Sequence, residues 1–114
     1  MADLILILTT MPDDDRVQAL ATTLVDEGLA ACVNVHAAMV STYRWKGRIE
    51  REAERQVVIK TTRAKRTAIE ARLHALHPYE LPEFVVIDGD SSEAYGRWVV
   101  ETTRSGPSST SGPP

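Results

Sequence analysis

The sequence holds a single cysteine, Cys32, so no internal disulfide can staple the chain, and a reducing cytoplasm is the expected setting. The uninterrupted apolar run Leu4–Leu8 falls far short of the ~20 residues that a spanning helix needs, so no membrane partner is expected. No basic stretch followed by an apolar one opens the chain, and no secretory signal is read. A Gly-rich phosphate loop, a Cys-x-x-Cys pair and a His-x-x-x-His helix are all missing, which removes the usual nucleotide, redox and zinc-hydrolase motifs. Aromatic residues amount to only 5%. Basic residues are scarce at the start: residues 1–43 carry Arg16 alone against six acids.

What remains is an ordinary globular composition. Over 114 residues, 43% are hydrophobic and 25% charged, which excludes disorder over the bulk of the chain. A domain of this size buries only about two-thirds of its unfolded surface, so assembly with other copies would help it. Residues 105–114 contain only Ser, Thr, Gly and Pro and are expected to be a disordered tail, leaving residues 1–104 as one domain.

Leu4–Thr10 reads as a central strand covered on both faces. Asp13, Asp14 and Asp15 then supply a cap and favourable charge for a helix that carries Val17, Leu20, Ala21, Leu24 and Val25 and stops at Gly28. Ala31–Val35, resumed through Val40–Trp45, and Arg48–Thr62 read as a long hairpin turning near Gly47, with Val57, Val58 and Ile59 at its buried end. The charged Glu50–Arg55 portion, with Tyr43, Trp45 and Ile49 nearby, should project beyond the domain and be covered by another subunit. Thr62 is placed to cap a second helix lined by Ile69, Leu73 and Leu76 and ended by Pro78. Phe84–Ile87 is a further strand, and Asp90 with Glu93 forms a capping-box-like start for a last helix bearing Tyr95, Trp98 and Val99. The order βαββαβ predicts an α+β, ferredoxin-like sandwich with an extra C-terminal helix and a long projecting hairpin.

That fold hosts enzymes and RNA binders, but neither pattern is present. A phosphate-cradling loop after the first strand would need an arginine, whereas Thr-Thr-Met-Pro-Asp-Asp-Asp repels phosphate. RNA readers of this fold stack bases on inner-strand aromatics, and here those strands carry Leu, Ile and Val. Residues 44–66 hold nine basic side chains against Glu50, Glu52 and Glu54, a local excess that reads most simply as a solvated hairpin and helix start. No nucleic-acid partner is expected. His74 and His77, three apart at the end of the second helix, could share a divalent transition metal if a third ligand arrived; a helix C-terminus also favours histidine for its own sake. Cys32, between Ala31 and Val33, reads as a small buried hydrophobe before a reactive thiol. In His77-Pro78-Tyr79-Glu80-Leu81-Pro82-Glu83, two prolines pin the backbone and aim Tyr79 and Glu80 in fixed directions, as a recognition loop or a structural joint would.

Taken in order, Gly28-Leu29-Ala30-Ala31-Cys32-Val33-Asn34, Ser41-x-Tyr43-x-Trp45-Lys46-Gly47, Glu54, Lys60-Thr61, His77-Pro78-Tyr79-Glu80-x-Pro82-Glu83 and Tyr95-x-x-Trp98 resemble the CutA divalent-cation tolerance family over residues 4–103. The resemblance implies a cytoplasmic homotrimer similar to the PII signalling proteins, with the long hairpin packed across subunit boundaries and no assigned catalytic reaction. It also implies an inter-subunit cleft gathering Tyr43, Trp45, Lys46, Glu54, Lys60, His77, Tyr79 and Glu80. Copper-binding members carry a first-strand Cys and a His-His pair where this chain has Thr9, Leu76 and His77. Neither Thr9 nor Leu76 offers thiolate or imidazole, so a tight copper site of that design is not expected. The leading expectation is therefore a trimer serving metal tolerance by weak Cu(II) or Zn(II) binding at His77 with nearby carboxylates, and with His74 or Cys32 as a substitute ligand. A PII-like trimer holding an anionic metabolite or a peptide on Lys46 and Lys60 comes second, and an enzyme using Cys32 or Glu80 third.

Overall fold

The computed structural model describes residues 3–104, so the expected tail lies outside the described residues. The elements are β1 (Leu4–Pro12), α1 (Asp15–Asp26), β2 (Cys32–Val35), β3 (Met39–Trp45), β4 (Arg48–Thr62), a 3-10 turn at Arg63–Lys65, α2 (Arg66–Leu76), β5 (Val85–Asp88) and α3 (Glu93–Arg104). The strands pair antiparallel in the order β2-β4-β1-β5, with β3 also on β4, beyond β2. This is the ferredoxin-like α+β arrangement read from the element order.

Local chemistry accounts for most boundaries. The Asp14 side chain accepts the Arg16 backbone N–H at 2.9 Å and caps α1. Gly28 ends that helix at φ 72°, a left-handed conformation that glycine adopts without a Cβ penalty. Lys46 and Gly47, at φ 51° and 81°, make the tight hairpin turn between β3 and β4. His77 takes the extended backbone that Pro78 imposes on its predecessor, and α2 stops at Leu76. Two expected caps differ. Thr62 makes no side-chain cap bond, because the chain enters α2 through the 3-10 turn. The start of α3 is capped by Ser92, whose Oγ accepts the Tyr95 N–H at 3.2 Å, while Asp90 bonds the Ser91 N–H instead.

The core lies on one side of the sheet. Ile5, Ile7 and Met11 of β1 and Val57 and Ile59 of β4 meet Val17, Leu20 and Leu24 of α1 and Ile69 and Leu73 of α2. Strand alternation sends Val58 to the opposite face, so it does not share the core with its neighbours. Leu76 is exposed at the end of α2 rather than in its apolar stripe. On the far face Leu6, Leu8 and Val58 are half-buried, and Val85 and Ile87 of β5 are exposed.

The second strand of the expected hairpin is broken. Val35 pairs with Val57 and Met39 with Glu54, so three residues, 36–38, oppose two, 55–56. The extra residue reverses which side chains of this strand share a face with β4. Before the break Cys32 and Asn34 stand opposite Lys60 and Val58. After it Met39, Ser41, Tyr43 and Trp45 stand opposite Glu54, Glu52, Glu50 and Arg48. The β3–β4 arm carries Val40 at 69% exposure and Ile49 at 58%.

Candidate functional site

A cleft of about 810 Å³ opens at the root of this arm. Met39, Ser41, Tyr43 and Trp45 form one wall, and the loop from Pro78 to Glu83 forms the other, with Glu54, Gln56 and Thr10 at the floor. The parity change at residues 36–38 is what brings the β3 wall to the Glu54 side.

The loop wall is held by a chain of hydrogen bonds. His77 Nε2 donates to the Thr10 carbonyl at 2.7 Å, and its Nδ1 accepts the Tyr79 backbone N–H at 3.2 Å. That pair of partners specifies the neutral ring with its proton on Nε2. Burial pushes the His77 imidazole below the ordinary histidine range, opposed in part by the Thr10 carbonyl and Glu54. The Tyr79 ring lies 4.8 Å from that of His77, and its hydroxyl donates to Glu54 Oε2 at 2.6 Å. Burial first, and then this bond, push the Tyr79 phenol far above its usual range, so it remains a donor. Gln56 Nε2 donates both to the Thr9 carbonyl at 2.7 Å and to Glu83 Oε2 at 3.0 Å, tying the end of the loop to β1.

Most expected site residues meet here. Tyr43, Trp45, Glu54, Tyr79 and Glu80 line the cleft. Lys46 stands at its rim, 3.9 Å from Glu80 Oε1 and 5.6 Å from the centre of the Trp45 ring. His77 braces the cleft from behind. Lys60 is the exception: it sits six residues along β4 from Glu54, opposite Leu6 and Cys32, roughly 20 Å away at strand spacing. His74 is exposed on α2, and the extended backbone at His77 takes the two rings off a common helical face. Gln56 and Met39 carry no sequence assignment, and Ser41 and Glu83 enter only as members of the family motifs. Gln56 did carry a signal, as a polar residue next to the apolar run Val57–Ile59.

The donors do not fit a closed metal centre. Among the described residues, no three His, Cys, Asp or Glu side chains converge to hold an ion. Both ring nitrogens of His77 already have partners, and Thr9 is fully buried with its hydroxyl unpartnered. Cys32 is half-buried on β2, away from the cleft.

Fold and cleft together define a small α+β protein of the ferredoxin-like class with a long arm. Residues 5–102 match the family model described as CutA1 divalent ion tolerance protein. The chain is 36% identical over 98 residues to the divalent-cation tolerance protein CutA of Thermus thermophilus, covering 85% of this chain and 95% of that protein. It is 35% identical over 104 residues to the protein of that name from Pyrococcus horikoshii, covering 89% and 99%. The crystal structure of CutA from Xylella fastidiosa superposes with a TM-score of 0.86 at 40% identity, over 90% of this chain and 99% of that one. The chain belongs to the CutA divalent-cation tolerance family.

Proposed function

We propose that this protein serves divalent-cation tolerance as a homotrimer that acts by binding, with the cleft at the root of the arm completed at a subunit boundary. The observation that carries this reading is the cleft's charge: Glu54, Glu80 and Glu83 line it, and among the described residues no lysine or arginine does, Lys46 standing at the rim. Such a site favours cations. An anionic ligand drew its support from Lys46 together with Lys60, and Lys60 stands elsewhere on the sheet. The partly exposed apolar face of the sheet, with Val85 and Ile87 open to solvent, and the projecting arm support assembly.

For a metal, the cleft offers the carboxylate oxygens of Glu54, Glu80 and Glu83, and His77 Nδ1 would join them only by giving up its 3.2 Å bond to the Tyr79 backbone N–H. That set suits weak, exchangeable capture of Cu(II) or Zn(II). Binding rather than catalysis agrees with the Tyr79 hydroxyl, the Gln56 amide and one oxygen each of Glu54 and Glu83 being held in structural bonds. The lone Cys32 favours a reducing compartment, the cytoplasm.

Native mass spectrometry of metal-stripped protein, with and without Cu(II) or Zn(II), tests both parts. The expected result is a trimer that takes up ions at micromolar metal, with weaker uptake in His77→Ala. A monomer would overturn the assembly, and a trimer empty under both metals would overturn the metal reading.

A further inference from the structure

Glu54 is only 5% exposed, yet its carboxylate has one protein donor, the Tyr79 hydroxyl on Oε2. Among the described residues, Oε1 accepts no hydrogen bond, and no lysine, arginine or histidine forms an ion pair with this carboxylate. Carboxylates this buried are ordinarily paired, because taking an ionised group out of water is costly. Glu54 lines the cleft, so its partner has an approach from there.

The cleft is much larger than a bare ion requires. A divalent metal asks for four or more donors at about 2.0–2.6 Å, whereas about 810 Å³ lies in the range of small-molecule sites. Its walls include the faces or edges of Tyr43, Trp45 and Tyr79. Aromatic rings attract cations through their quadrupole, and the Lys46 ammonium already stands 5.6 Å from the Trp45 ring centre. A buried carboxylate beneath aromatic walls matches a cation with an apolar stem better than a metal ion.

We propose that the cleft binds an organic cation, an alkylguanidinium or alkylammonium group, with its head on Glu54 Oε1 and its stem along Tyr43 and Trp45. The proposal rests on the cleft being the ligand site; a metal would draw on the same carboxylates, so the organic cation is tested with metal removed. A free amine and a basic side chain presented by a peptide share this chemistry, and two probes separate them.

The test is isothermal titration with agmatine and with N-acetyl-arginine amide, in EDTA so that no metal contributes. Saturable binding of agmatine is expected, weakened about tenfold or more in Glu54→Gln, which keeps the shape but removes the charge. Trp45→Leu, on the exposed arm and remote from the core, should weaken it severalfold at a concentration where sedimentation shows the wild-type assembly, and serves if Glu54→Gln does not fold. Binding of both probes supports a side-chain ligand, and binding of agmatine alone supports a free amine. No saturation at millimolar agmatine, equal binding of a neutral alkylamide of the same length, or unchanged affinity in the folded variants would overturn the proposal. Because metal uptake is read separately without chelator, either idea can fail while the other stands.

Discussion

At the scale of single residues, the cleft is a set of polar groups whose partners were invisible in sequence. The family motif named Tyr79 and Glu54, but not that one would donate to the other across 25 positions of chain. Removing the donor isolates its role: Tyr79→Phe leaves a buried carboxylate without a protein partner, and a loss of about 1–3 kcal/mol in chemical denaturation is expected. Thr9 is the opposite case. Its hydroxyl is fully buried and unpartnered, so Thr9→Val, which keeps the shape, should stabilise the protein by about 1 kcal/mol. A lower denaturation midpoint for Thr9→Val would show that the hydroxyl has a partner after all. His77 adds a pH dependence whose direction follows from burial. Its folded pKa lies below the ordinary 6.5, so the folded state binds fewer protons than the unfolded state between the two values. The His77 contribution is therefore complete above about pH 6.5 and is lost as pH falls through the depressed folded value. Glu54 on one side, and His74 and Arg16 on the other, are the charged groups acting on it. Denaturation midpoints of wild type should fall between pH 7.5 and 5.5, and those of His77→Gln should fall less.

At the scale of elements, much of the fold could be read from pattern. The apolar run of β1, the aspartate cap, Gly28 and the 3.6-residue spacing of Val17, Leu20 and Leu24 all point the same way, and α1 forms as they indicate. The hairpin turn at Lys46-Gly47 was equally plain, because its positive φ angles demand such residues. What pattern could not show is the register. Nothing in His36-Ala37-Ala38 announces that one residue there goes unmatched, yet that residue decides which side of the sheet Tyr43 and Trp45 occupy. Lys60 stands apart from the cleft within one chain for a related reason: a motif lists residues along the chain, whereas a strand spreads them by about 3.3 Å each. The register can be tested directly. Deleting Ala37 restores equal counts on the two strands and should turn Met39, Ser41, Tyr43 and Trp45 away from Glu54. In a Trp98→Phe background, the Trp45 emission should shift to the red while the helical circular dichroism signal persists. An unshifted spectrum would mean that the arm recovers its register by slipping at the turn.

At the scale of the whole molecule, the single chain leaves apolar surface open. α1 and α2 cover one face of the sheet, while Leu6, Leu8, Val58, Val85 and Ile87 leave an apolar band on the other. The described residues extend over 47 Å by 26 Å by 24 Å, the long arm reaching past the core that should support it. A chain this short gains little stability from its own core, and burying that band between copies would add to it. Ile87 offers a clean test, because it is 43% exposed in the isolated subunit and lies on edge strand β5. Ile87→Glu costs the single subunit little, since the carboxylate can reach water. In an assembly built on this face, each copy would bury an unpaired charge, at a cost of several kcal/mol per site. The expected outcome is a folded monomer, with circular dichroism like wild type and a sedimentation coefficient for one chain at micromolar concentration. The arm contributes separately, so Trp45→Ala should shift the same equilibrium toward monomer without unfolding the core. An intact trimer of Ile87→Glu would exclude this face as the interface and leave the arm as the surface that joins the copies.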